Sequence, residues 1–453
     1  LQAQKDLQYA SRGISLRSHT RAIAFMLAIL VPGIVLAFKT VVIAVAATLG
    51  ASSNPALVAK ATALDPADPE LHYRLGMAYS FSFDHPQPQE GLRELREAVQ
   101  LDPSQPAYWS ALASACESLG DEKCAANATR RTLELAPMTP RYWWDAANRS
   151  MAAGASEAAL GEFRRLIELD PEYAPETFRL CLAMVPDAQK VYHEILAGRN
   201  DVQLNFAYID YLSGHGQGDQ AFPVFQATLA LDSPFPFSLA ESYLNWLLAH
   251  GDDQQAAGAW QELESHRIIS RPPGDSPGNL IFNSGFEQPP LNAGFDWRIH
   301  QEPYTRVSLD ELDPYQGRRS LRVDFTVGQN EASQPVSELV PVQPSHTYRL
   351  EAYVRSDSIT SDSGPRLRVT DPQCASCLDV STDGTTGTTD WHPVGVNFTV
   401  GPTTHVVLVS ISRPRSMTFP TDITGTFWVD NVSLSAASAP PTGESLPQTR
   451  HSS

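Results

Sequence analysis

The chain has 453 residues, is 42% apolar and carries a formal net charge of −18. That length allows two or three domains, and the apolar share is enough to build real cores. Acidity without a basic stripe excludes nucleic acid as the partner.

The charge is unevenly spread. Up to residue 50 the charges are Lys5, Arg12, Arg17, Arg21 and Lys39 against a single Asp6, so the acidity lies beyond. Residues 22 to 38, "AIAFMLAILVPGIVLAF", form an uncharged apolar run, and "TVVIAVAATLG" extends it past Lys39. A helix of about 20 apolar residues crosses a bilayer, so 22–49 is predicted to be a transmembrane signal anchor. A buried core helix is one alternative. A cleaved signal peptide is another, since Ala44-Val45-Ala46 offers small residues, but the run exceeds the roughly 7–15 residues of such a segment. With basic residues before the span and acidic ones after it, residues 1–21 are expected in the cytoplasm and the bulk of the chain outside.

Between residues 57 and 267 a closing phrase returns. It reads Leu64-Asp65-Pro66, Leu101-Asp102-Pro103, Leu135-Ala136-Pro137 and Leu169-Asp170-Pro171, at spacings of 37, 34 and 34. The units share small and large residues in register. The second has Trp109, Leu112, Ala113, Gly120 and Ala125; the third has Trp143, Ala147, Gly154, Ala159 and Phe163; the first has Leu75, Gly76, Tyr79 and Ala98. Small residues let two helices approach, large ones fill the gap, and Pro stops the second helix. After Pro171 the pattern degrades into hairpins over 174–199, 202–232 and 237–264, about six in all. A period near 34 with this content resembles the tetratricopeptide-repeat family. The resemblance implies an all-α solenoid over 57–267 whose groove, lined by the first helix of each hairpin, holds a protein partner. Counting from the motif, Tyr73, Arg141, Trp144, Asn148, Tyr208 and Asn245 face that groove. Trp144 carries two readings, a hot spot for a bound peptide or packing on its neighbour.

Cys116 and Cys124 flank a helical turn and form one candidate pair, while Cys181 reads as core. Cys374 and Cys377, in "DPQCASCLD", sit between strand-like runs, away from the helix start a redox pair wants. A small loop disulfide is expected there. Zinc would need a second ligand pair, and none is visible.

The stretch "SRPPGDSPG", 270–278, is the clearest linker signal, within a linker over 268–278. Beyond it the apolar period becomes 2. Leu321, Val323 and Phe325 alternate with polar residues, as do Tyr348, Leu350, Ala352 and Val354. About ten short strands over 279–436 predict an antiparallel sandwich, and 437–453 read as a disordered tail.

Particular residues go further. "NLIFNSGFE" runs into a Trp some ten residues on, followed by "GRRSLRV", "TYRLEAYVRS" and a closing "FWVDNVSL". This resembles the jelly-roll carbohydrate-binding modules of bacterial glycanases, within the galactose-binding-like superfamily, over 279–436. The resemblance implies a structural calcium held by Glu287 and Asp430, helped by carbonyls near Gly317-Arg318-Arg319-Ser320. Calcium wants six to eight oxygens, and two carboxylates with carbonyls supply most of them. It also implies a sugar face on one sheet. Alternation turns Arg349, Tyr353 and Arg355 away from the core, with Arg366 and Arg368 behaving similarly, and a Tyr among arginines suits an acidic glycan. A merely solvated charged face is the plainer alternative. Trp297, Trp391 and Trp428 are expected in the core.

No residues remain for a separate catalytic domain, and no nucleophile elbow, phosphate loop or His-x-x-x-His motif occurs. The expectation is a non-catalytic scaffold in a bacterial inner membrane, crossing it once. It would bind a protein through the helices and a glycan through the β-module, in surface-polysaccharide assembly or export. A pure protein scaffold is the alternative, and a polysaccharide hydrolase a more distant one.

Overall fold

The computed structural model describes residues 19–82, 86–276, 278–326, 330–374, 376–419 and 421–437. The expected cytoplasmic segment, up to residue 18, and the expected tail, from residue 438, lie outside the described residues. The order predicted from the sequence is the observed one: an apolar helix, a run of helices, then a two-sheet antiparallel β-sandwich. The chain divides into two compact units, 1–171 and 172–453, so the boundary falls at the fourth closing phrase.

In the first unit, α1 (His19–Gly50) is the one described helix long and apolar enough to cross a membrane. At 32 residues it is about 48 Å long, more than the roughly 30 Å a bilayer core requires. Its surplus is folded against the next elements: Ala46 is buried with Ala61 and Leu71. A Cβ on Gly50 would fall 2.2 Å from Leu71 Cδ2. The helix therefore runs into the folded unit without a joint. After α2 (Pro55–Leu64) come three helical hairpins: α3 (Pro69–Phe81) with α4 (Pro88–Leu101), α5 (Pro106–Ser118) with α6 (Glu122–Leu135), and α7 (Pro140–Ala152) with α8 (Ser156–Leu169).

The closing phrase has a physical task in each hairpin. Each first helix begins on a proline, whose fixed φ suits that position. Three residues earlier, the carbonyl of the phrase's own proline accepts a contact from a ring nitrogen six residues on. Trp109 Nε1 donates to Pro103 O at 2.9 Å, Trp143 Nε1 to Pro137 O at 2.9 Å, and His72 Nε2 lies 3.1 Å from Pro66 O. After Pro171 the equivalent position is Thr177, whose buried hydroxyl has no hydrogen-bond partner. The repeat loses this clasp where the first unit ends.

The second unit starts with α9 (Ala174–Met184), α10 (Ala188–Ile195), α11 (Val202–Gly214), α12 (Phe222–Leu229), α13 (Ser238–Ala249) and α14 (Asp253–Ser265). Its strands are β1 (Arg298–Ile299), β2 (Thr305–Asp310), β3 (Ser320–Phe325), β4 (Ser333–Pro341), β5 (Thr347–Ile359), β6 (Arg366–Thr370), β7 (Asp379–Ser381), β8 (Gly387–Thr399), β9 (Val406–Arg413) and β10 (Gly425–Ala436). One sheet has the order β1-β4-β9-β6-β7 and the other β2-β3-β10-β5-β8. Tyr348, Leu350, Ala352 and Val354 face the core with Leu321, Phe427 and Trp297, as the alternation predicts.

The expected linker is not loose. Asp275 accepts from Asn283 N, Ser284 N and Ser284 Oγ, and Arg271 Nη1 donates to Asn279 O and Ile281 O. Trp260 of α14 meets Phe282 at 5.3 Å and Phe295 at 5.9 Å between ring centres. A Cβ on Gly294 would lie 2.3 Å from the Trp260 ring. The last helix is thereby packed on the opening loop of the sandwich.

Disulfides join Cys116 to Cys124 and Cys374 to Cys377, and Cys181 is a buried thiol. Burial raises the Cys181 pKa to about 12, so it is an inert packing residue.

Candidate functional site

The outer face of the sheet β2-β3-β10-β5-β8 carries an aromatic group built from three segments. Tyr353 on β5 points out, opposite Asp430 on β10. Tyr315, from the loop after β2, lies on it with ring centres 3.6 Å apart and planes at 10°. Trp391 of β8 stands 6.1 Å from Tyr315 at 59°, so the two rings meet as a tilted pair on the outer face. Tyr353 is therefore half-buried, although it turns away from the core, and Tyr315, 40% exposed, presents the free ring. Hydrogen bonding to Tyr353 is the first cause that raises the Tyr315 phenol pKa.

The loop bearing Tyr315 is clamped at several points. Trp391 Nε1 donates to Asp313 O at 3.0 Å, and Arg355 Nη1 pairs with the Asp313 carboxylate. The Arg355 guanidinium also lies 4.2 Å from the Trp428 ring centre and 5.3 Å from that of Trp391. Trp428 donates from Nε1 to Asp310 Oδ2. Trp297 is in the core, as expected, but Trp391 and Trp428 belong to this outer face. Alternation within β10, where Phe427 and Val429 face the core, could have placed Trp428 there.

The expected arginine face does not exist as one surface. Arg366 and Arg368 lie on β6, in the other sheet. Arg368 is bound through Nε and Nη2 to Asp379, both at 2.7 Å, and Arg366 Nε donates to Gly364 O. Arg349 pairs with Glu351 at 2.6 Å, and Arg322 pairs with Asp324 at 2.8 Å. Like alternation on two strands gave the same parity, not the same sheet.

Beside the aromatic group lies the carboxylate pair. Glu287 Oε1 accepts from Arg318 N at 2.7 Å and Arg319 N at 3.3 Å. Asp430 accepts from Gln316 N at 2.9 Å and Asn431 N at 2.7 Å. Both line a cavity of about 50 Å³. Burial raises the Asp430 pKa to about 6, and the Glu287 charge adds to the rise. The loop turns N–H groups, not carbonyls, toward the carboxylates. Gly317, at φ 74°, sits so close that a Cβ would fall 2.0 Å from Glu287 Oε1. Asn283, Phe286 and Asn431 hold φ values of 53°, 54° and 48° around the pair; such backbone costs about 1–3 kcal/mol per residue. Among the described residues no group of three or more His, Cys, Asp or Glu side chains could hold a metal ion. The two carboxylates keep unused lone pairs, and no basic side chain lines the cavity. Calcium takes six to eight oxygens, and these two carboxylates, each capped by backbone N–H groups, supply only part of that set.

In the first unit, α3, α5 and α7 line a cavity of about 340 Å³ that includes Tyr73, Met77, Ser110, Arg141 and Asp145. Tyr73 packs on Tyr108 at 5.1 Å. Of the six expected groove residues, Tyr73 and Arg141 are brought together here. Trp144 instead meets Phe163 of its own hairpin edge-on at 6.1 Å. Asn148 Nδ2 donates to Trp144 O, one turn back. Tyr208 is a correction: it is 0% exposed, donating to Ala188 O at 3.0 Å in the core of the second unit. Asn245, also in the second unit, is exposed on α13. Helical register misses such shifts because the hairpins after Pro171 no longer follow the period.

Residues 278–416 match the family model described as a carbohydrate binding domain. No curated protein matches the sequence. Among solved structures, the chain is similar to the enzymatically active domain of bacteriophage CBA120 tailspike protein 4, at 15% identity and a TM-score of 0.28. That match covers 35% of this chain and only 22% of the other. It is similar to a Family 16 Carbohydrate Binding Module-2, at 21% identity over 34% of this chain and 99% of that one, with a TM-score of 0.26. It is also similar to YrrB, a TPR protein with an unusual peptide-binding site, at 18% identity over 37% of this chain and 80% of that one, with a TM-score of 0.28.

Proposed function

We propose that the chain is a non-catalytic, membrane-anchored scaffold that holds a glycan on the Tyr315–Tyr353–Trp391 face and a protein segment in the α3-α5-α7 cavity. The observation that carries the glycan half is the exposed Tyr315 ring set beside Trp391 on the outer face, within the residues that match a carbohydrate binding domain. Stacking on such rings is the usual way an apolar sugar face is held. On the same sheet, Arg349, Arg355 and Arg322 each have a carboxylate partner. A neutral glycan suits this charge balance better than an acidic one.

The protein half rests on the shape of the α3-α5-α7 cavity and on the helical hairpins that build it. Anchoring by α1, with the basic segment inside, rests on length, composition and charge order. On this reading the glycan site lies outside a bacterial inner membrane, in surface-polysaccharide assembly or export. Calcium between Glu287 and Asp430 would fix the loop that carries Tyr315, since Gln316 is the donor to Asp430.

A second reading, a scaffold whose β-module no longer takes sugar, is favoured by the Tyr315 ring covering Tyr353. A glycan array probed with the detergent-solubilised full chain separates the two. Neutral glycans should be retained by the wild type and held more weakly by Tyr315→Ala, at an unchanged melting temperature. Failure of the wild type to retain any glycan would leave the second reading.

A further inference from the structure

The sandwich has a second pocket at the end away from the carboxylate pair. It is a cavity of about 190 Å³ where β2 begins and β3 ends, and Glu302, Tyr304, Thr326 and Arg413 are among its walls. Arg413 is the unusual member. It is 2% exposed, and among the described residues no carboxylate is hydrogen-bonded to it. Nη1 donates to Glu331 O at 2.9 Å and Nη2 to Thr421 O at 2.7 Å, but buried Nε has no partner. A buried donor left without an acceptor is rare enough to require a cause. Opposite in character stands Tyr304, 43% exposed. Glu302 adds acceptor oxygens, already fixed by Gln334 N at 2.9 Å and by the hydroxyls of Thr305 and Ser333.

We propose that this end pocket is a second carbohydrate subsite, taking one neutral pyranose unit at a chain end. A ring wall, a fixed guanidinium and a fixed carboxylate match a sugar's apolar face and its neighbouring hydroxyls, which both donate and accept. The volume suits one ring rather than a chain, and Glu302 and Glu331 at the pocket offset the Arg413 charge, disfavouring an acidic unit. The subsite is separate from the aromatic face, because it lies where β2 begins and β3 ends, whereas Tyr315 is in the loop that joins their other ends.

Saturation-transfer NMR on the full chain in detergent tests this, with methyl β-D-glucopyranoside, methyl β-D-galactopyranoside, N-acetylglucosamine and sodium glucuronate as probes. At least one neutral probe should give a signal that survives in Tyr315→Ala/Tyr353→Ala, where the face is removed. The same signal should weaken about tenfold in affinity, near 1.4 kcal/mol, in Tyr304→Ala, whose exposed side chain the fold does not need. Arg413→Lys should give a similar loss if its melting temperature is kept; Tyr304→Ala decides otherwise. No neutral signal, loss of signal in the double variant, an undiminished signal in Tyr304→Ala, or tighter binding of glucuronate would each overturn the proposal.

Discussion

Two sets of aromatic rings, one in the first unit and one on the sandwich, use the same chemistry for different ends. Trp109 and Trp143 each donate an indole N–H to a proline carbonyl six residues back. Trp391 donates the same group to Asp313 O, 78 residues back. The first kind of bond closes a repeat and is finished within one hairpin. The second pins a loop to a sheet and leaves a neighbouring ring, Tyr315, facing out. A locally satisfied ring stabilises the fold, whereas a ring satisfied at long range is free to shape a surface.

The strongest break of this contrast lies inside the third hairpin. Phe163 is fully buried, and Trp144, partly buried, rests on it. Phe163→Ala should destabilise the first unit by about 3–5 kcal/mol, and Trp144→Ala by only about 1 kcal/mol. Denaturant unfolding of the full chain measures both; equal losses would make Trp144 part of the core.

Calcium should come next. A ligand at a hundredfold excess over its Kd stabilises the folded state by about 2.7 kcal/mol. The sandwich transition should therefore fall in chelator and recover with calcium, and Asp430→Ala should remove the difference. A transition indifferent to chelator would rule out the site at Glu287 and Asp430.

Replacing the indole N–H tests the comparison directly. Trp143→Phe should cost about 1 kcal/mol of stability with no change in glycan binding. Trp391→Phe should leave the melting temperature nearly unchanged and weaken glycan binding, because the Tyr315 loop loses its clamp. The reverse pattern would show that both rings are structural.

The smallest effect is a pH slope. Asp296 is buried, and desolvation raises its pKa to about 6, although Leu291 N and Trp297 N donate to it. A folded carboxyl with a raised pKa binds its proton more tightly than the unfolded one. Its stability contribution is thus present below the unfolded value, near 3.9, and is lost as pH rises through about 6. Stability measured across that window should fall less steeply in Asp296→Asn than in the wild type.

Much of this molecule was settled by local pattern. The apolar run from Ala22, the phrase ending in Pro66, Pro103 and Pro137, and the alternation through Leu350 and Val354 each encode an element, because helix and strand periods are set by neighbours in sequence. The same pattern put Tyr353 on the outer side of β5. What alternation cannot give is which strands share a sheet. Arg366 and Arg349 have the same parity, but β6 pairs with β9 and β5 with β10. Nor does it give what covers an outward residue: Tyr315 reaches Tyr353 only because the loop after β2 folds back to Glu287 and Asp430. The repeat made Tyr208 a groove residue, whereas packing after Pro171 buried it. The tertiary structure decided these points because they depend on contacts between segments far apart in the chain, which no local period records.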